Sequence, residues 1–186
     1  MMYITPLSSA NPAVWTALCD SPEATGLLGR RLAGYLSADD VISLEGDMGA
    51  GKTAFTRGLA AGLHCRGTVA SPTFTLLMEH PAGAGGLALY HFDTYRLSGA
   101  EEFCELGLQE YFTAGGVCVL EWGDLVADIL PPLALVIRFS QIDFNRPQTR
   151  LITITWPAGE AKLAAVTRDL LQNADQAVLC EEGSPC

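Results

Sequence analysis

One short run of this chain has residue types and spacing suited to holding phosphate: Gly46-Asp47-Met48-Gly49-Ala50-Gly51-Lys52-Thr53. It fits the pattern of a glycine, four residues, then Gly-Lys-Thr. The glycines permit dihedrals that aim successive backbone N–H groups at one point, where phosphate oxygens can sit. Lys52 supplies a positive charge to the β and γ phosphates, and the Thr53 hydroxyl can ligate Mg2+. A helix starting at the end of the loop adds the positive end of its dipole. The run therefore predicts a nucleoside triphosphate site.

Such a site also needs a carboxylate at a neighbouring strand end, holding Mg2+ directly or through water. Two acids fit. Asp93 ends the apolar run LALYHFD, and Glu121 ends GVCVLE. Ligand sites in open α/β sheets lie at the carboxyl ends of strands, which favours both. Spacing does not separate them as metal ligands. Ser71-Pro72-Thr73 lies between the loop's helix and the next strand, and a hydroxyl there could reach Mg2+ or the γ-phosphate. An ordinary turn accounts for that tripeptide equally well. No Asn-Lys-x-Asp sequence marks a guanine site, and His64, His80 and His91 stand isolated, with no chemistry assigned.

The elements that must position these groups are legible in outline. Pro22, Glu23 and leucines at 28, 32 and 36 predict a helix over 22–37. VISLE (41–45) predicts a buried strand, and Phe55, Leu59 and Leu63 mark one face of the helix that follows the loop. Strands are expected over 73–80, 87–93, 116–122, 133–139 and 150–156, and helices over 99–113, 124–130 and 159–172. Strands alternate with helices early and run consecutively late. The expected class is therefore α/β, a P-loop NTPase-type three-layer sandwich around a mixed, mainly parallel sheet. Residues 1–19 read as a lead-in, 20–173 as one ATPase domain, and 174–186 as a loose acidic tail.

Composition narrows the partners. Lys and Arg total 11 against 21 Asp and Glu, a net charge of −10. Gripping a nucleic acid backbone unaided takes a basic face, so any role in nucleic acid metabolism is expected to run through a protein partner. The six cysteines form no C-x-x-C pair and no zinc spacing. With no export signal and no run of about 18 apolar residues, they read as free thiols of a cytoplasmic protein without a membrane span.

Several stretches taken together carry more than the loop alone. LEGDMGAGKTAFTRGLAAGL, SPTFTLL, YHFDTYRL, ELGLQEYF and LEW follow one another over about residues 20–156. In order and spacing they resemble the TsaE (YjeE) family, the ATPase accessory to tRNA threonylcarbamoyladenosine synthesis in bacteria. The resemblance implies ATP and Mg2+ as ligands and TsaD and TsaB as partners, which place a threonylcarbamoyl group on adenosine 37 of tRNAs reading ANN codons. ATP binding and slow hydrolysis would reset that complex, with tRNA met only indirectly. It further implies that Gly46 to Thr53 hold the phosphates, that Thr73 belongs to a switch-like segment, and that Lys52, Asp93 and Glu121 serve hydrolysis. Asp93 and Glu121 would surround Mg2+ and the attacking water. Thr25 and Gly29 match a segment near the nucleotide, and Arg96 and Trp122 also match, in a structural or partner-facing role. The chain departs from the family pattern at Met48, at Ala54, within LHCRGTV and after about residue 157. Two other readings are a non-catalytic, nucleotide-gated binding module and a small-molecule kinase.

Overall fold

The β-branched and apolar run Val41–Glu45 forms a strand at the centre of one mixed sheet, with four of its five residues buried. The computed structural model describes residues 2–6, 14–157 and position 165. In chain order the strands are β1 (Met2–Pro6), β2 (Val14–Cys19), β3 (Val41–Glu45), β4 (Leu77–His80), β5 (Leu89–Asp93), β6 (Val117–Glu121), β7 (Leu135–Gln141) and β8 (Arg150–Thr155). Among the described residues they pair in the order β1-β2-β8-β7-β3-β6-β5-β4. β7, β3, β6 and β5 run parallel. The edges are antiparallel, β4 on β5 at one side and β8, β2 and β1 beyond β7 at the other.

The α/β class and the mixed sheet are as the sequence predicts. The parallel character belongs to the four central strands around the phosphate loop. Four of the seven pairings are antiparallel, so "mainly parallel" describes the site's surroundings and not the whole sheet. Helices α1 (Pro22–Ala33) and α2 (Lys52–Gly62) cover one face, packing on Ile42, Leu44, Val119 and Ile137. Helix α3 (Ala100–Glu105) and the 3-10 segments Leu108–Thr113 and Gly123–Ile129 cover the other, around Phe92, Phe103 and Leu120. The result is three layers.

Three expectations change. Residues 14–19 are no lead-in: β2 lies inside the sheet between β1 and β8, with Trp15 only 1% exposed. The strand expected from residue 73 begins at Leu77, because the Pro72 carbonyl accepts the N–H groups of Thr75 and Leu76 and closes a turn. The helix expected over 99–113 breaks after Glu105, where Gly107 takes a φ of 71°. The helix over 159–172 and the tail 174–186 lie outside the described residues, apart from helical position 165.

Helices α1 and α2 touch backbone to backbone. A Cβ on Gly58 would lie 1.8 Å from the Gly26 carbonyl oxygen, and one on Gly29 would lie 2.3 Å from that of Phe55. Gly58→Ala must push the helices apart, and overpacking of this kind costs about 3 kcal/mol. A chain of this size then loses roughly 10 °C of melting temperature, measurable by thermal unfolding. An unchanged melting temperature would show that the crossing is looser than described.

Burial raises the Cys118 thiol to about 12 and those of Cys19 and Cys65 to about 11, so these three are inert as nucleophiles near neutral pH. Among the described residues no helix is long and apolar enough to cross a membrane.

Candidate functional site

β3 delivers the chain into the loop at Gly46, and the loop turns back at once. Gly46, Gly49 and Gly51 take φ values of 129°, 75° and 106°, a backbone region side chains rarely allow. Ala50 N–H closes a turn on the Asp47 carbonyl at 3.1 Å. Gly51 caps α2 without any side-chain hydrogen bond, so the first-turn N–H groups face the cleft instead of a cap. A loop and helix start of this form make an anion cradle.

Lys52 opens α2 and turns back over the loop. Its Nζ donates to the Gly46 carbonyl and, at 3.0 Å, to that of Asp47, and lies 3.8 Å from the centre of the Trp122 ring. Burial lowers its pKa, against the pull of Glu121, Asp93, Asp124 and Asp47. A cation stripped of water and ringed by acids favours further anionic charge nearby only if it can engage that charge directly, which suits phosphate oxygens.

β5 and β6 end side by side, with Asp93 and Glu121 directly opposite in register. Each is 4% exposed. They are held differently. Thr53 donates from its hydroxyl to Glu121 Oε1 at 2.8 Å, and His91 Nε2 lies 2.9 Å from the same oxygen. Asp93 Oδ2 accepts from the hydroxyls of Thr73 at 2.6 Å and Ser71 at 3.3 Å, while Oδ1 accepts the Tyr95 N–H at 3.1 Å. Asp93 thus ties the 71–76 turn to the sheet, and Glu121 ties β6 to the start of α2.

The turn after β6 is forced by close packing. Trp122 takes a φ of 62°, its N–H bonds to the Leu44 carbonyl, and Thr94 donates to its carbonyl at 2.7 Å. Gly123 follows because a Cβ there would lie 2.3 Å from Ser43 Oγ. This geometry lays the indole beside Lys52 and, at 5.0 Å between ring centres, against Tyr95.

The cleft holds about 400 Å3 and is lined by Met48 to Ala54, Ser71, Thr73, Phe74, Asp93, Tyr95, Glu121 and Trp122. Gly46 and Asp47 are not on that lining; they border a separate cavity with Glu45, Asp124, Arg138 and Phe139. Met48 to Thr53 of the predicted loop, Thr73 and both acids are therefore brought together in one cleft, with Gly46 and Asp47 outside its lining. Thr25 is not on the lining: it is buried beneath Gly51, with its hydroxyl donated to the Ser21 carbonyl. Gly29 lies at the helix crossing, away from the cleft.

Two residues had no assigned role in the sequence. His91 precedes Asp93 by two on one strand, so both face the same side, a period-two signal that was readable. Arg150, on β8, donates through Nε to the Ala50 carbonyl at 3.0 Å and through Nη2 to that of Gly49 at 3.1 Å. It draws the loop's carbonyls outward, and no local pattern links positions a hundred residues apart.

The chain matches the family described as threonylcarbamoyl adenosine biosynthesis protein TsaE over residues 19–152. It belongs to the TsaE family. It is 46% identical to the TsaE protein of Bacillus subtilis over 111 residues, covering 60% of this chain and 68% of that protein. It is 42% identical to that of Treponema pallidum over 130 residues, covering 69% and 94%. The crystal structure of Bacillus subtilis YdiB shares the fold with a TM-score of 0.67 at 32% identity, covering 93% of this chain and 97% of that one. A place in tRNA threonylcarbamoyladenosine biosynthesis follows from the TsaE family.

Proposed function

We propose that this TsaE-family chain binds ATP with Mg2+ and hydrolyses it slowly, acting in the cytoplasm as accessory to TsaD and TsaB. Those partners transfer the threonylcarbamoyl group to adenosine 37 of tRNAs reading ANN codons. The observation that carries this reading is the convergence of Lys52, Thr53–Glu121 and Thr73–Asp93 on one cleft beside a glycine loop. Loop, uncapped helix start, buried cation and paired acids fit a triphosphate and its metal in both shape and charge.

In this reading Gly46 to Thr53 bind the phosphates through backbone N–H groups, and Lys52 balances the charge that grows on them. Thr53, Glu121 and Asp93 are the groups for Mg2+, which supplies charge neutralisation to the phosphoryl oxygens when bound. Lys52, Asp93 and Glu121 are the catalytic residues, with an acid orienting the attacking water. Asp93 links the Ser71–Thr73 turn to the cleft, so that turn registers the state of the phosphates. Thr25 supports Gly51 from beneath. The net charge of −10 accords with tRNA being reached through the partner proteins.

The hydroxyl latch of Ser71 and Thr73 on Asp93 favours a second reading, in which nucleotide binding alone reshapes the surface and hydrolysis is incidental. The two separate with purified TsaD–TsaB, tRNA and a premade activated threonylcarbamoyl donor. With ATP on this chain, modification is expected to continue over many rounds. With a non-hydrolysable analogue it stops after about one round per complex. Equal product in both would replace the ATPase by the gated module.

A further inference from the structure

His91 is fully buried in β5, on the sheet face where Leu89, Val117 and Val119 join the apolar core. An apolar side chain would pack there without desolvating two ring nitrogens. Its one hydrogen bond among the described residues reaches Glu121 Oε1 at 2.9 Å. The Nδ1 atom has no partner among the described residues, and neither has Nε2 of His80, whose ring lies 6.4 Å away. Buried imidazoles held for structure alone are ordinarily satisfied at both nitrogens. The bond to Glu121 is what this histidine offers in return for its burial.

That bond is directional. A carboxylate only accepts, so Nε2 must carry the proton, which selects the tautomer. Thr53 donates to the same Oε1 at 2.8 Å. Two donors on one oxygen fix the rotation of the carboxyl plane, and Oε2 remains for a ligand in the cleft. We propose that His91 is a positioning residue: it orients the Glu121 carboxylate toward the metal bound with the nucleotide. This rests on the ATP–Mg2+ reading of the cleft. Partners of ligating groups act in this way generally, and losing one costs about 10–100-fold in metal affinity or activity.

The test uses three variants of the full chain: His91→Gln, whose amide N–H falls where Nε2 stands, His91→Asn, whose amide stops short, and His91→Phe, which fills the space without a donor. Calorimetric titration of ATP, once in EDTA and once with Mg2+, gives the factor by which the metal tightens binding. Thermal melting reports folding separately. The expected result is a metal factor reduced about tenfold in His91→Asn and His91→Phe and restored in His91→Gln, with affinity in EDTA little changed in all three. An unreduced metal factor in His91→Phe overturns the proposal. So does a reduction shared equally by His91→Gln with a matching loss of melting temperature, which would mark a structural histidine. If the unaltered chain itself binds no ATP, the proposed function fails first, and that outcome is plain before any variant is compared.

Discussion

Lys52→Ala is expected to lower Mg2+-dependent ATP turnover at least about 100-fold, the usual loss when one preorganised electrostatic group is taken from a transition state. The ammonium belongs to a side chain only 4% exposed, and its pKa is lowered by that burial despite the acids around it. It therefore interacts strongly with charge that develops at the phosphates, because little solvent intervenes. Alanine removes that charge from the only lysine in the motif while keeping a good helix former at the first position of α2. The Gly46 and Asp47 carbonyls lose a donor, and Trp122 loses its cation. The desolvation of the ammonium is relieved at the same time, so folding stability is expected to change by no more than about 1 kcal/mol. Phosphate release and thermal melting, measured together, check both halves. Undiminished turnover would remove Lys52 from the catalytic assignment.

Glu121→Ala combines a functional loss with a structural one. Turnover is expected to fall about 100- to 1,000-fold, since the acid beside Thr53 disappears from the proposed Mg2+ site. Thr53 and His91 both donate to Oε1, so the truncation leaves two donors without an acceptor. His91 is fully buried, and an unsatisfied donor there costs about 1–3 kcal/mol. For a domain of this size that is a melting drop of roughly 3–10 °C. Glu121→Gln separates the effects, because its amide oxygen still accepts while the charge is gone. Most of the melting temperature should return in Glu121→Gln and little of the turnover. Recovery of turnover in that variant would mean that Glu121 acts as a hydrogen-bond acceptor and not as a charge.

The parts of the fold that sequence conveys well are those governed by local chemistry. β3 and β6 are largely apolar runs, β3 matching its expected limits and β6 falling within one residue of them at each end, because strands buried on both faces leave little room for polar residues. Asp93 and Glu121 were legible for a related reason: an acid at the end of such a run has few places to go except the sheet's carboxyl edge. What escaped depends on packing between distant segments. Residues 73–76 looked like the start of a strand because Thr73, Phe74 and Thr75 favour extended structure, yet the Asp93 carboxylate and the Pro72 carbonyl hold them in a turn. β2 carries alternating buried residues, but its partner β8 lies over a hundred residues away, so no local signal places it in the sheet. Gly29 was placed near the nucleotide by the resemblance of its segment to the family. Its actual demand is steric, set by the Phe55 carbonyl of another helix.

The central claim is that this chain couples ATP hydrolysis to a partner's cycle. The most direct measurement is Mg2+-dependent phosphate release by the purified chain, alone and with a TsaD–TsaB pair, beside Glu121→Ala. The account predicts weak release alone, a clear increase with the pair, and loss of both in the variant. Release that is indifferent to the pair and undiminished in the variant would contradict it.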